Sequence, residues 1–423
     1  MRNRDVKQLG ASLAAATCAL LGNSAQAATT GDQGWKFDSA VLFYNEQSRV
    51  NAVEPEIQGA RQLPDDSEIK LKVTLDTLTG ASHNGAITAA KPQTFTSPSG
   101  NATYGVAPGD LPLDKTFHDS RAAGNLQYTH PLNRTLRWTA GVNLSSEYDF
   151  KSLGLNGGWL WDLNNKNTTL GLSFSHESDS IKPVGGVPMG LTIQSAMLKK
   201  NGSESRHVED ALLGLTQVIN RRWIMQLNYN LSVAKGYQTD PYKVVTVVDA
   251  NGDPLEAENL PAPFAGPDIG PGDAQLYELR PDSRTKHAIY WENRFHFEKG
   301  VLAVGYRHMT DDWGIKSNTV DLKYRLPLGQ NWYLQPHARW YKQSAADFYR
   351  QSITQADLGS LKHVSADYRL GKLKDTTFGL KLARHWGDNR ELSFRLESFR
   401  QSGDRKASDL NATIAQVGYT ISW

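Results

Sequence analysis

Residues 412–423 read ATIAQVGYTISW. Thr413, Ala415, Val417, Tyr419, Ile421 and Trp423 alternate with Ile414, Gln416, Gly418, Thr420 and Ser422. One parity is mainly apolar and the other mainly small or polar, the period of a strand whose two faces meet different surroundings. The segment is long enough to cross a bilayer when tilted, and it ends on an aromatic ring at the interface. The pattern recurs in Leu136, Trp138, Ala140, Val142 and Leu144, in Leu153, Leu155, Gly157, Trp159 and Trp161, and in Trp223, Met225, Leu227, Tyr229 and Leu231. The residues between them are Gly, Asn, Gln, Ser, Arg or Glu in most places, which suits a wet lumen better than a packed core. The expected fold is all-β: a transmembrane antiparallel β-barrel of about 16 strands, within roughly 14–18.

The connections divide into two kinds. Short ones fall at 130–134, 164–167, 220–222, 297–300 and 327–331, and long ones at roughly 77–117, 178–206, 237–283 and 344–362. Such alternation predicts short periplasmic turns and long extracellular loops. Trp35, Trp138, Trp159, Trp161, Trp223, Trp313, Trp332, Trp340 and Trp386 lie near strand ends, where interfacial girdles form. If the short turns are periplasmic, strands 4, 6, 8, 10 and 12 of this count run outward. The last strand must run inward, so the count carries one strand too many or too few, expected between 344 and 375.

Residues 1–27 have a basic start (Arg2, Arg4, Lys7), an apolar run and the small-residue ending Ala25-Gln26-Ala27, the pattern of a secretory signal peptide. The single cysteine, Cys18, lies inside it. The exported part, 28–423, is then one barrel domain without thiol chemistry. Removing 1–27 takes three basic residues and one acidic from the 46 and 44 of the whole chain, leaving 43 of each sign. A neutral balance argues against nucleic acid as a partner. The expected location is the outer membrane of a Gram-negative bacterium, with outer-membrane lipid, lipopolysaccharide and the barrel assembly machinery as partners.

Two segments share a skeleton, SSEYDF (145–150) and SHESDS (175–180), both Ser-x-Glu-x-Asp. They end outward strands 4 and 6 of the count, so Glu147, Asp149, Glu177 and Asp179 should line the outer mouth, joined by Asp311 and Asp312 from another outward strand. Clustered carboxylates suit a hard cation such as Ca2+ or a cation-selecting rim. The plainer reading is loop acids neutralised by Lys151, Lys182, Arg307 and Lys316. His176-x-Ser178 shares the lipid-side parity of Leu170, Leu172 and Phe174, and resembles the His-x-Ser pair of membrane-facing phospholipases and lipid A deacylases, with Ser178 as nucleophile and His176 as base. The plainer reading is an interfacial His and a loop Ser, since the sequence offers no third, orienting residue. No nucleophile elbow, zinc helix or phosphate loop is present. The stretch 235–254 predicts an extended hairpin turning at Asn251-Gly252. The Pro/Gly-rich stretch that follows it is either a constriction or lid, or a plain surface loop.

The segments KVTLDTLTGASHNGA (72–86), SSEYDFKSLG, SHESDSIKPVGGVP, KGYQTDPYK, ELRPDSR, DDWGIKS and DYRLGKL together resemble, from about residue 66 onward, a bacterial family of outer-membrane barrels that carries a domain-of-unknown-function label, the 3570 series. The resemblance implies a single-domain barrel without an established activity or known site residues. An association with flavin transferases and small redox proteins would imply periplasmic redox partners. The functional expectation is a non-enzymatic channel, transport or envelope-assembly barrel with an acidic outer mouth. The alternatives are a sheath for an electron-carrying partner, and a lipid hydrolase using Ser178 and His176.

Overall fold

The computed structural model describes residues 34–96, 103–195, 198–261, 264 and 272–423; the segment 1–27 expected to be a signal peptide, with Cys18, lies outside them. Sixteen strands form one closed barrel. They are β1 (Trp35–Glu46), β2 (Val50–Gln62), β3 (Glu68–His83), β4 (Leu113–Pro131), β5 (Leu136–Ser146), β6 (Phe150–Leu163), β7 (Thr168–Ile181) and β8 (Glu204–Asn220). The second half comprises β9 (Trp223–Gly236), β10 (Ser283–Phe297), β11 (Gly300–Asp311), β12 (Lys316–Leu328), β13 (Trp332–Gln343), β14 (Leu373–Trp386), β15 (Arg390–Gly403) and β16 (Leu410–Ser422). Each strand pairs antiparallel with the next, and β1 closes on β16. Closure leaves no strand edge unpaired, the condition for a sheet in contact with lipid.

Alternation survives intact in three dimensions. Leu144, Leu155, Phe174, Leu213, Leu322, Phe378, Leu380, Leu396 and Val417 point outward and are exposed. The opposite parity points into the lumen. On β5–β9 that wall is mostly small and uncharged, with Thr139, Gly141, Asn143, Ser173, Thr216 and Asn228. On β12–β15 it is a mutually neutralising ladder: His337 lies 3.0 Å from Asp321 and 2.8 Å from Glu397, Lys323 3.1 Å from Asp321, and Lys381 3.2 Å from Glu391.

The total of sixteen strands agrees with expectation, but their numbering differs. SSEYDF ends β5, not the fourth strand, because three strands precede residue 84. No barrel strand lies between Gln343 and Leu373, the stretch where the expected count was off by one in either direction. With both corrected, β16 runs back to the end that holds β1's start.

Every connection at one end of the barrel is short, and all the long loops lie at the other end, with the short turns 47–49, 147–149, 312–315 and 404–409 between them. Those loops build a second body across the mouth. Its centre is a three-stranded sheet, Gln275–Tyr277, Val244–Val248 and Ile353–Thr354, with Val244–Val248 in the middle. All five residues of that run, VVTVV, are buried, as a strand covered on both faces requires. Val245, Val247, Ala274, Leu276, Ile353 and Val364 form its core. A hairpin of Gln93–Thr96 and Thr103–Val106 packs Phe95 and Val106 against Val244 and Tyr277. The tight turn expected at Asn251-Gly252 is present, with the Leu255 N–H donating back to the Val247 carbonyl at 2.9 Å, but the return strand is not a full hairpin partner: Val244–Thr246 takes its ladder from 275–277, about thirty residues further on. Trp313 also departs from the interfacial girdle, being buried in the cap against Phe348 with its indole donating to the Ser283 carbonyl.

Candidate functional site

The cap is tied together by charges that the barrel alone would not need. Four loops contribute. From the β13–β14 loop, Asp367 is fully buried and accepts from Arg280 Nη2 at 2.9 Å and from Arg369 Nε at 2.9 Å. Arg280, from the β9–β10 loop, pairs with Glu278 at 2.6 Å, and Glu278 accepts from the Asp240 backbone N–H at 2.8 Å and from the Ser365 hydroxyl. Arg369 reaches Asp240 at 3.2 Å. Lys243, also fully buried, donates to the His83 carbonyl at the end of β3. Arg405, between β15 and β16, donates to the carbonyls of Ala366 at 3.0 Å and Gly85 at 3.1 Å. Gly85 must be glycine: its φ is +103° and a Cβ there would lie 2.3 Å from the Val244 carbonyl oxygen.

Burial sets the protonation of this cluster. It pushes Glu278 up to about 7 against the pull of Arg280. It pushes Lys243 down to about 8 although Asp367 opposes it. Burial would also raise Asp367, but Arg369 and Lys243 hold it well below the usual carboxylate range. A lysine whose folded pKa is below its unfolded one binds its proton more tightly when the cap opens. Cap stability should therefore rise as pH climbs from about 8 towards 10.5, and be lost as pH falls back through that window. The readout is thiol labelling of Ala274→Cys, a fully buried cap position, relative to the same cysteine in urea. Labelling should slow severalfold between pH 8 and 10, and Lys243→Met should remove the slope.

Four of the six acids expected at the mouth have separate partners. Asp149 accepts from the Tyr242 hydroxyl at 2.5 Å, joining the β5–β6 turn to the cap. Asp179 faces Arg206 on β8, with Nε at 2.8 Å. Asp311 receives Arg284 Nε at 2.9 Å, and its other oxygen caps the turn by accepting from Ile315 N–H at 2.8 Å. Asp312 accepts from Thr285 N–H at 2.9 Å. Glu147 is half-buried in its turn and Glu177 lines the lumen beside Asp179. Among the described residues no group of three or more His, Cys, Asp or Glu is placed to hold a metal ion. The six acids therefore do not gather as one cluster, and Asp149, Asp179, Asp311 and Asp312 serve as tie points. The neutralising cations are Arg206 and Arg284, while Lys151 and Lys316 stand on the outward parity. No local pattern names Arg206 and Arg284, because each lies 27 residues from its acid.

His176 and Ser178 do share the outward face of β7. Glu209, directly across on β8, places Oε1 3.7 Å from His176 Nδ1, and His207 stacks on His176 at 5.8 Å. Sequence reading missed Glu209 because the pairing crosses strands.

Solved structures similar in fold include "CymD monoaromatic hydrocarbon channel", at 10% identity over 93% of this chain and 89% of that one with a TM-score of 0.40. "Bacterial polysaccharide outer membrane secretin" is 8% identical over 92% and 99%, TM-score 0.46. The outer membrane protein opdK from Pseudomonas aeruginosa is 11% identical over 92% and 99%, TM-score 0.40. These are likenesses of fold. No curated protein matches the chain in sequence. The seven segments that carry the family resemblance supply Gly85, Asp149, Asp179, Asp240, Lys243, Glu278, Arg280, Arg284, Asp311, Asp367 and Arg369 to this one rim and cap. The family model for "Protein of unknown function (DUF3570)" matches residues 10–420, and the chain belongs to that family.

Proposed function

We propose that this protein is a transport barrel of the Gram-negative outer membrane, shut at rest by a cap folded from its own loops. One observation carries the reading: the body across the mouth has its own apolar core and its own buried ion pairs, so it is a separately stabilised closure and not a thickening of the wall. The lumen behind it offers a small polar wall facing a charged, internally neutralised one, a surface for a polar solute with little preference for the sign of an ion. The outward apolar face supports the membrane setting. Planar-bilayer recording tests this. The intact protein should be nearly silent, and variants with the cap ties cut should conduct in steps of weak ion selectivity. A cap-cut barrel, verified as folded, that stays silent would refute transport through the lumen.

One observation favours a second reading, lipid hydrolysis at the outward face. Glu209 stands where a third residue would orient His176. In that chemistry His176 takes the proton of Ser178 as its Oγ attacks an ester carbonyl, returns it to the departing alcohol, and water releases the acyl group. Ser178→Ala should then abolish release of fatty acid from phospholipid in detergent. Equal release by the variant dismisses the reading.

A further inference from the structure

We propose that Lys316, Lys342, Lys374 and Arg400, on the outward face of β12–β15, bind the phosphate groups of a glycolipid in the leaflet next to the cap. The inference rests on the membrane reading above.

Register brings the four together. Lys342 on β13 lies directly opposite Lys374 on β14. Lys316 on β12 is two residues beyond Asn318, the partner of Lys342, and Arg400 on β15 is paired with Thr376, two residues beyond Lys374. Direct and diagonal neighbours on one face stand about 4.5–8 Å apart, within reach of side chains this long. The outward residues interleaved with them are Asn318, Trp340, Thr376, Ser402 and Asn411, none of them acidic. Asp375, next in sequence, has the opposite parity and faces the lumen. All four cations are exposed, and among the described residues none is in an ion pair. Like charges set opposite each other across a ladder destabilise it unless an anion is supplied.

Their height along the barrel identifies where that anion comes from. On β14 the outward parity runs from Lys374 through exposed Phe378, Leu380 and Leu382 to Trp386. Twelve residues at about 3.3 Å, tilted by roughly 40°, span about 30 Å, one hydrocarbon thickness. At the far end Arg384 lies over Trp386 at 4.8 Å and over Trp332 at 5.3 Å, an aromatic belt of one interface. The basic group therefore sits at the other interface, on the cap side, immediately above the acyl-chain zone. Around the rim, β1–β3 end on their outward parity in Asn45, Asn51, Thr77 and Thr79, and Lys151 on β6 and Lys235 on β9 stand apart from each other, so the run of cations on adjacent strands lies on one side. A phosphate carried on acyl chains satisfies both parts of this surface: its oxygens take the ammonium and guanidinium donors, and its chains lie over Phe378 and Leu396.

The test uses the full barrel, purified in neutral detergent, and binding of purified lipopolysaccharide against the same lipopolysaccharide after enzymatic dephosphorylation. The wild type should bind the phosphorylated form at least tenfold more tightly, and the variant Lys316→Gln/Lys342→Gln/Lys374→Gln/Arg400→Gln should lose that preference. The milder Lys342→Gln/Lys374→Gln, which removes only the opposed pair, should lose most of it. Equal binding by the folded variants, or of the dephosphorylated lipid, overturns the proposal. So does full competition by inorganic phosphate at the glycolipid's concentration, which would mark a site for a free ion. Insertion into neutral phosphatidylcholine vesicles depends on the apolar band alone and reads the membrane assignment separately: insertion without glycolipid preference rejects only the site, and failure to insert rejects the reading beneath it.

Discussion

Replacing Asp367 with alanine is expected to open the barrel. Its carboxylate is fully buried and holds Arg280 and Arg369, both also buried or nearly so, while Lys243 adds a third positive charge to its field. Removing one partner of a buried pair leaves the other charges without solvent or counterion, at a cost of about 3–5 kcal/mol. That corresponds to roughly 10²–10⁴-fold more frequent cap opening. Labelling of Ala274→Cys should accelerate by this factor, and conductance steps should appear where the wild type is silent. Asp367 lies outside the barrel strands, so the sixteen-strand ladder and its heat-modifiable migration should be unchanged. Lys91→Ala gives the contrast: that ion pair with Glu256 is 2.8 Å long but largely exposed, and such pairs contribute at most about 1 kcal/mol. Equal labelling in Asp367→Ala and wild type would mean that the charge network does not hold the cap.

Leu380→Arg is expected to be nearly as costly, for a different reason. Leu380 is at mid-height on β14, outward and 46% exposed. An arginine at the bilayer midplane of a barrel wall costs about 2–4 kcal/mol. Asn156→Arg, on the lumen parity of β6 with Gly141 and Ser175 opposite it, should cost little, because water and the polar wall receive it. Urea titration of folding into lipid vesicles measures both. Similar midpoints for the two variants would refute the assignment of faces.

The barrel was legible because its signal is local. Whether Val417 faces lipid depends on residues two positions either side, and ATIAQVGYTISW contains them all. β2 was harder to read: VNAVEPEIQGARQ carries Glu54, Pro55 and Glu56 at its centre, and only pairing with β1 and β3 shows Val53 and Ile57 outward and both carboxylates in the lumen. The twin Ser-x-Glu-x-Asp segments do end two outward-running strands, β5 and β7 rather than the fourth and sixth, yet the role of their acids is set by partners that the segments do not contain. A run of carboxylates looks like a cation site until Tyr242 and Arg206 are seen beside Asp149 and Asp179.

What the sequence by itself determined is the all-β barrel, the parity of its faces and the division into short turns and long loops, since each follows from an alternation or a turn signal within a dozen residues. Only the tertiary structure decided that the loops form a cap, that its charges pair, and which lysines stand together on the outer wall. Arg280 and Asp367 are 87 residues apart, and Lys342 meets Lys374 across a loop of their own strands. Such meetings depend on strand register and loop closure, where burial of a shared core selects one arrangement among many that the local pattern allows.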